Sequence, residues 1–234
     1  MSAVNISPEF DAFADDYDAV LNQGLSATGE AKAYFAGGRM HWLARRLAQL
    51  EFDPEGVLDY GCGTGSATPY FFAMLGVRRV IGLDVSAKSI EHAERAHGSD
   101  RVSFKLPSEF KPKADLDLAF CNGVLHHVPV EHRAGCVKQI LAALRPGGLF
   151  ALWENNPWNP GTRYVMSKTP FDRDAILVWP RGARELLRDA GFEILRTDFL
   201  FIFPASLKWL RGLEPHLCRM PLGGQYMVLA RKPE

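Results

Sequence analysis

The sequence predicts an α/β fold, with a mostly parallel sheet, helices on both of its faces and an antiparallel edge. Three observations carry this expectation. Between residues 57 and 155, short apolar runs alternate with helix-periodic segments, the pattern of consecutive βαβ units. The turn after the first apolar run is rich in glycine, and glycines at a strand-to-helix turn let the backbone approach a ligand closely. After residue 191, two strand-like runs follow one another without an obvious crossover helix, which suggests an antiparallel pair.

The elements follow in order. Residues 1–50 read as helical. EAKAYFAGGRMHWLARRLAQL puts Leu43, Leu47 and Leu50 on one stripe, and Gly37-Gly38 is expected to divide the segment into two helices. VLDYG (57–61) is a short apolar run ending in glycine and reads as a buried strand; ATPYFFAMLG, ending in Gly76, reads as a helix. VIGLD (80–84) is a second strand, and Ser86 is a good N-cap for the helix SAKSIEHAERAH. RVSFKL (101–106) and LDLAFCN (116–122) are the third and fourth strands. EHRAGCVKQILAAL carries Val137, Ile140, Leu141 and Leu144 on one helical face and stops at Pro146-Gly147-Gly148, before a fifth strand, LFALWEN (149–155). RGARELLRDAG (181–191) is a helix; FEILRTDFLFIF and QYMVLARK are the last strands, joined by a longish loop containing WLRGLEPHL. Residues 154–180 have little periodicity and many Asn, Pro and aromatic residues, and irregular segments of that length are usually functional.

Composition narrows the function. The chain has 234 residues, 47% hydrophobic and 23% charged, with 27 Lys+Arg against 27 Asp+Glu. This balance excludes a disordered chain and disfavours a highly basic nucleic-acid binder. No apolar run approaches the roughly 18–20 residues of a membrane span, and MSAVNISPEFDAFADDYD lacks the charged-then-apolar form of a signal peptide. None of the four cysteines, Cys62, Cys121, Cys136 and Cys218, is spaced for a zinc site, so free thiols in a reducing cytoplasm are expected. The length fits one domain with additions or two small domains, divided as an N-terminal helical segment (1–50) and a core (51–234) that contains the irregular insertion 153–181.

The sharpest local pattern is Asp59-Tyr60-Gly61-Cys62-Gly63-Thr64-Gly65, after a strand and before a helix. A dinucleotide fingerprint needs Gly-x-Gly-x-x-Gly/Ala. Here that third position is Ser66, and the third glycine comes one residue early, at Gly65. The departure argues against NAD, and the lack of Gly-Lys-Ser/Thr argues against a phosphate-binding loop. A second acid, Asp84, closes the second strand. It can accept both hydroxyls of a ribose, or it can simply cap the next helix. Together the loop and the acid favour a nucleoside ligand.

With these residues in hand, the chain resembles the class I S-adenosylmethionine (SAM)-dependent methyltransferases of the small-molecule type. VLDYGCGTGSA is similar to that family's first motif, VIGLDVSAKSI to its second and LDLAFCNGVLHHVP to its fourth; ILAALRPGGLFAL is similar to the helix-turn-strand that follows. The resemblance covers roughly residues 55–234. It implies a Rossmann-like, seven-stranded, mostly parallel sheet with an antiparallel C-terminal strand and an N-terminal helical cap; residues 1–50 would then be a lid and the insertion 153–181 a substrate cover. It further implies that Asp59, Gly61, Cys62, Gly63 and Gly65 hold the methionine part of SAM. Asp84 would bind the ribose, with Val85 beside the adenine and Asn122 and Gly123 as the floor near the sulfonium. The family's third-motif acid has no clear counterpart in KLPSEFKPKAD, where Ser108 and Glu109 are the candidates. Tyr17, in an N-terminal Tyr-Asp pair, either caps the cofactor or packs a helix.

The sulfonium makes the methyl group an electrophile, so the protein must hold an acceptor in line and, for O–H or N–H acceptors, remove a proton. Positioning can supply roughly 7–11 kcal/mol of barrier lowering, and a general base about 10²–10⁴-fold. His126 and His127 follow the fourth strand, and imidazole as a side-chain type suits a base near neutral pH, so the pair are the base candidates, with His127 preferred. The alternative is that they cap the following turn or pack the cofactor. No metal is expected, because the pair lacks a third and fourth ligand nearby. In 153–174, Glu154, Asn155, Asn156, Arg163, Tyr164, Asp172 and Arg173, among Trp153, Trp158 and Phe171, are polar groups suited to a small molecule within an aromatic wall, with Trp158 also a candidate contact. A self-packed loop with Asn-built turns is the alternative. Asn156-Pro157-Trp158 is like the Asn/Asp-Pro-Pro-aromatic motif of amino-methyltransferases, but it follows the fifth strand rather than the fourth, so amide-nitrogen chemistry is not transferred. The expectation is a cytoplasmic methyltransferase producing S-adenosylhomocysteine and a methylated O or N of a small metabolite. It would act as a monomer or homodimer, with neither nucleic acid nor membrane as partner. The rivals are a non-catalytic SAM-binding regulatory or partner protein, an enzyme that uses SAM for a different reaction, and, more weakly, methylation of a macromolecule.

Overall fold

The computed structural model describes residues 28–172 and 175–234. Tyr17 and Arg173 lie outside the described residues, so the expectations placed on them have no structural counterpart. The chain runs α1 (Lys32–Gln49), β1 (Gly56–Tyr60), α2 (Thr68–Leu75), β2 (Arg79–Leu83), α3 (Ala87–His97), β3 (Val102–Lys105) and β4 (Leu116–Asn122). It continues α4 (Val130–Ala143), β5 (Leu144–Asn155), α5 (Pro160–Lys168), α6 (Pro180–Asp189), β6 (Glu193–Leu200), α7 (Glu214–Leu217) and β7 (Gln225–Arg231). The strands form one seven-stranded sheet in the order β3-β2-β1-β4-β5-β7-β6. β7 inserts antiparallel between β5 and β6, and the other neighbouring pairs are parallel. This is the Rossmann-like sheet with an antiparallel C-terminal strand that the sequence predicts.

The order places the site. The chain builds outward through β2 and β3, then returns to start β4 on the other side of β1. Neighbouring connections leave β1 and β4 in opposite directions, so a crevice opens beyond their carboxyl ends, where such sheets bind ligands. All five residues of β1 are buried, and alternate side chains serve opposite faces. Leu58 joins Val137, Ile140, Leu187 and Tyr226 in the core under α4 and α6. Val57 joins Met40, Leu43, Phe71 and Trp153 in the core under α1 and α2. Each such side chain contributes about 1.5–3 kcal/mol of burial.

Three local findings differ from the expectation. Gly37 and Gly38 do not divide the N-terminal helix; α1 runs through both. A Cβ on Gly38 would lie 2.7 Å from the Phe201 ring, so the glycine there makes room for a tertiary contact rather than a break. Second, part of 154–180 is helical: the Asn159 side chain accepts from the Thr162 N–H at 3.0 Å and Pro160 follows it, so capping rather than periodicity starts α5. Third, β5 begins at Leu144, before the Pro-Gly-Gly turn, because Leu144 already pairs with Leu116.

α1 is fixed to the far side of the sheet by a buried carboxylate. Asp198 on β6 accepts from Trp42 Nε1 at 2.9 Å and Arg46 Nε at 2.8 Å, while Arg196 bonds its other oxygen. The four cysteines are free. Among the described residues, no helix is long and apolar enough to cross a membrane.

Candidate functional site

The carboxyl edge is built first from backbone. Gly61 and Cys62 both donate their N–H groups to the Leu83 carbonyl, at 2.7 and 2.9 Å, which folds the glycine turn back over β2. Gly61, Gly63 and Gly65 all have positive φ. At Gly61 a Cβ would come within 2.1 Å of Val124, whereas at Gly63 it would meet nothing, so the turn is open at Gly63. Asp84 holds the turn from the next strand end: one oxygen accepts from the Gly63 N–H at 2.8 Å, the other from the Ser86 N–H at 2.9 Å. Ser86 in turn caps α3 by accepting from the Ser89 N–H. Both readings of Asp84 thus have a structural basis, since it supports the helix start and stands at the crevice.

Two buried acceptors at this edge have no partner among the described residues: Asp59 Oδ2 and Asn122 Oδ1. Leaving such atoms unpaired costs free energy, and a polar ligand with donors in the crevice would restore it. Burial, reinforced by Asp84, pushes the Asp59 carboxyl up to about 7. Gly123, with φ +67, turns the chain out of β4 and donates its N–H to the Trp153 carbonyl. Val85 is exposed beside the turn, and Cys62 is buried, with its thiol pushed well up by desolvation.

Beyond Asn122 and Gly123 lies a cavity of about 450 Å³. Its walls come from α1, the turn after β4, α5, the segment after β6 and the start of β7. Lys32, Arg39 and Arg211 bring positive charge to it, and Glu30 and Asp172 bring negative charge. Arg39 is nearly buried and donates to Gln225 at 3.0 Å; Gln225 donates to Asn155 at 3.3 Å. Arg211 is clamped by the Glu30 carboxylate at 2.7 Å and the Tyr34 ring, its guanidinium carbon 4.3 Å from the ring centre. Glu214 holds the wall at 201–203 by accepting from all three backbone N–H groups.

The two histidines stack at 4.1 Å between ring centres. Glu154 reaches His126 from behind, Oε2 to Nδ1 at 2.6 Å, and its other oxygen accepts from the Leu125 N–H at 2.8 Å. Asp172 faces both rings, 3.4 Å from His126 Nε2 and 3.3 Å from His127 Nε2. Burial alone would hold His126 neutral, but the Glu154 and Asp172 carboxylates outweigh it and push its pKa up to about 9. The third potential ligand that the sequence did not supply near the pair is therefore present in space: Asp172.

The candidates of the 153–174 segment separate. Asn155 and Tyr164 line the cavity. Glu154 lies behind His126 rather than on the wall. Asn156 is fully buried and serves the chain itself: its amide donates to the Pro221 and Gly223 carbonyls and its oxygen accepts from the Trp158 N–H. Trp158 packs on Trp179 and Phe199, and Arg163 is exposed, neither among the lining residues. Asn156 thus builds the Asn turn that was the alternative reading, and Trp158 and Arg163 lie off the cavity wall. The sequence reading missed Lys32, Arg39, Arg211, Thr162 and Gln225. For Arg39 a pattern was available: it precedes Arg46 by two turns on the face that carries Leu43, and a cation on an apolar helical face needs a buried partner.

An open α/β sheet with a glycine turn, a strand-end acid and unpaired acceptors at its switch point defines a nucleotide-type cofactor domain. Comparison with known proteins narrows this. Residues 57–148 match the family model described as "Methyltransferase domain". The trans-aconitate 2-methyltransferase of Azoarcus sp. is 28% identical over 200 residues, 78% of each chain. The Methylobacterium nodulans protein of the same name is 30% identical over 217 residues, 84% of this chain and 83% of that one. A chain from the solved complex of the Haloferax volcanii Trm112 methyltransferase activator shares the fold with a TM-score of 0.63 at 20% identity. It covers 97% of this chain and 98% of that one. The chain belongs to the class I SAM-dependent methyltransferases. It is an enzyme with SAM as its methyl donor.

Proposed function

We propose that this enzyme methylates an oxygen of a small anionic acceptor, a carboxylate-bearing metabolite of the kind its trans-aconitate-methylating relatives are named for. The observation that carries the reading is the charge of the cavity: Lys32, Arg39 and Arg211 outnumber the acids Glu30 and Asp172 around a space of about 450 Å³ next to Asn122 and Gly123. Guanidinium and ammonium groups recognise carboxylates by charge-assisted hydrogen bonds. The identities of the first relatives support the same class.

In this reading SAM supplies a methyl group already activated by its sulfonium. Asp59, Gly61, Cys62, Gly63 and Gly65 hold its methionine end, where the unpaired Asp59 oxygen and the open Gly63 turn fit a cationic, hydrogen-bonding ligand. Asp84 and Val85 take the nucleoside, and Asn122 and Gly123 form the floor between cofactor and acceptor. α1 and the 159–172 segment, within the expected lid (1–50) and insertion (153–181), would cover the acceptor.

The acceptor class bears on the histidines. A carboxylate is ionised at neutral pH and can attack a methyl group without a base. His126 has Glu154 against one ring nitrogen and Asp172 facing the other, so its ring is turned to carboxylates of the protein rather than to an acceptor. For a hydroxyl acceptor, His127 is the group of the pair placed to take the proton. Mass spectrometry of purified enzyme with SAM and a panel of di- and tricarboxylates, trans-aconitate included, should show a base-labile methyl ester alongside S-adenosylhomocysteine. Turnover of alcohols or amines with no carboxylate turnover would overturn the reading.

A further inference from the structure

Carboxylate methylation gives no task to the most concentrated group of titratable side chains in the cavity. We propose that His126, His127 and Asp172 bind a divalent transition-metal ion at the acceptor end of the cavity. His126 Nε2, His127 Nε2 and Asp172 Oδ1 would be the ligands, with positions left open toward the acceptor. One ligand atom from each residue lies within 4.8 Å of the other two. The separations of 3.4 and 3.3 Å from Asp172 to the two rings suit shared coordination. Ligand atoms held about 2.0–2.2 Å from one ion at tetrahedral or octahedral angles stand about 2.8–3.6 Å apart. A charge-assisted hydrogen bond would be shorter, about 2.7–2.9 Å.

The surroundings add an independent observation. Metal-bound histidines commonly donate their second ring N–H to a carboxylate, which fixes the tautomer and aims the other nitrogen at the ion. Glu154 occupies that place: it lies 2.6 Å from His126 Nδ1 and is itself held by the Leu125 N–H. Ile176 is tied to the histidine turn, because it donates its N–H to the His126 carbonyl and Arg133 bridges the Val128 and Ile176 carbonyls. The three groups are thus pre-positioned by the fold, and all three line the cavity. Two imidazoles and one carboxylate suit zinc, iron(II) or cobalt(II) rather than magnesium or calcium. An acceptor carboxylate entering the cavity could complete the coordination.

The test uses the metal alone. Full-length enzyme is stripped with a chelator, dialysed and titrated with Co²⁺ by visible absorption and with Zn²⁺ by calorimetry. One equivalent should bind, without the intense sulfur-to-metal absorption of a cysteine site. Asp172→Ala and His127→Ala should each weaken binding at least 100-fold, and Glu154→Gln by about 10–100-fold. The exposed His132→Ala should bind as wild type does. Asp172→Asn keeps the side-chain volume and should lose the metal with its fold intact, as read by circular dichroism. Failure of the stripped protein to bind either ion, or unchanged binding by the Asp172→Asn/His127→Ala double variant, overturns the proposal. SAM binding, measured separately, tests the cofactor reading, and neither result depends on identifying the acceptor.

Discussion

The cofactor edge and the acceptor cavity meet at Asn122 and Gly123 and are made differently. The edge is drawn from one stretch of chain, Asp59 to Ser86, and works largely through backbone: N–H groups of the turn, glycine φ values and one strand-end carboxylate. The cavity is drawn from segments far apart in sequence and works through side chains, with Arg39 on α1 reaching Gln225 on β7 and Arg211 reaching Glu30. A backbone site is constrained to a short sequence pattern. A side-chain site can be rebuilt residue by residue while the edge stays the same, which is how one fold serves many acceptors.

The comparison breaks most sharply at Asp84. Replacing it with alanine should weaken SAM binding by about 100-fold or more, since hydrogen bonds to a charged group contribute about 1.5–3 kcal/mol each. Isothermal calorimetry reads this directly. Affinity within threefold of wild type would assign Asp84 to the α3 start alone.

Gly61→Ala tests whether the edge depends on backbone shape. Its Cβ would collide with Val124 at a φ of +77. Strain and overpacking of this kind cost about 2–4 kcal/mol, so the melting temperature should drop by several degrees. Gly63→Ala has a similar φ but no collision. It should fold better than Gly61→Ala and yet bind SAM less well than wild type.

The same difference explains what was legible in the sequence. The glycine turn, Asp84 and the alternation of strands and helices depend on contacts close in sequence, and they appear where the pattern put them. Gly38 was misread because the residue that needs its missing side chain, Phe201, is far along the chain. α5 was missed because its start rests on a single Asn cap within an Asn-rich stretch. Asn156 reads equally as a ligand residue or a turn builder because its type suits both, and its bonds to the carbonyls of Pro221 and Gly223, far along the chain, are what show it building the turn. The joining of Asp172 to the two histidines likewise depends on how the chain after α5 folds back, which no spacing rule reports.

Arg39→Met probes the cavity side. The stem volume stays and the charge goes, so KM for an anionic acceptor should rise about 10–100-fold, the worth of one charge-assisted contact. SAM affinity should remain near wild type. Steady-state kinetics with the best carboxylate acceptor separates the two, and a matching loss of SAM affinity would mean that edge and cavity are not independent.

The smallest expected effect lies at Asp59, on the edge but titrating in the working range. Burial, then Asp84, raise its carboxyl from 3.8 to about 7, so the folded chain holds a proton there that the unfolded chain releases. This contribution to stability is fully present below about pH 4 and is lost as pH rises through about 7. Asp59→Asn cannot ionise, so its stability relative to wild type should increase between pH 5 and 8. SAM carries positive charge and favours the ionised carboxylate, so wild-type affinity should rise by up to about tenfold per unit over pH 6–7 and then level off. The Asn variant should be flat across that range, and parallel pH slopes for the two proteins would place the titrating group elsewhere on the edge.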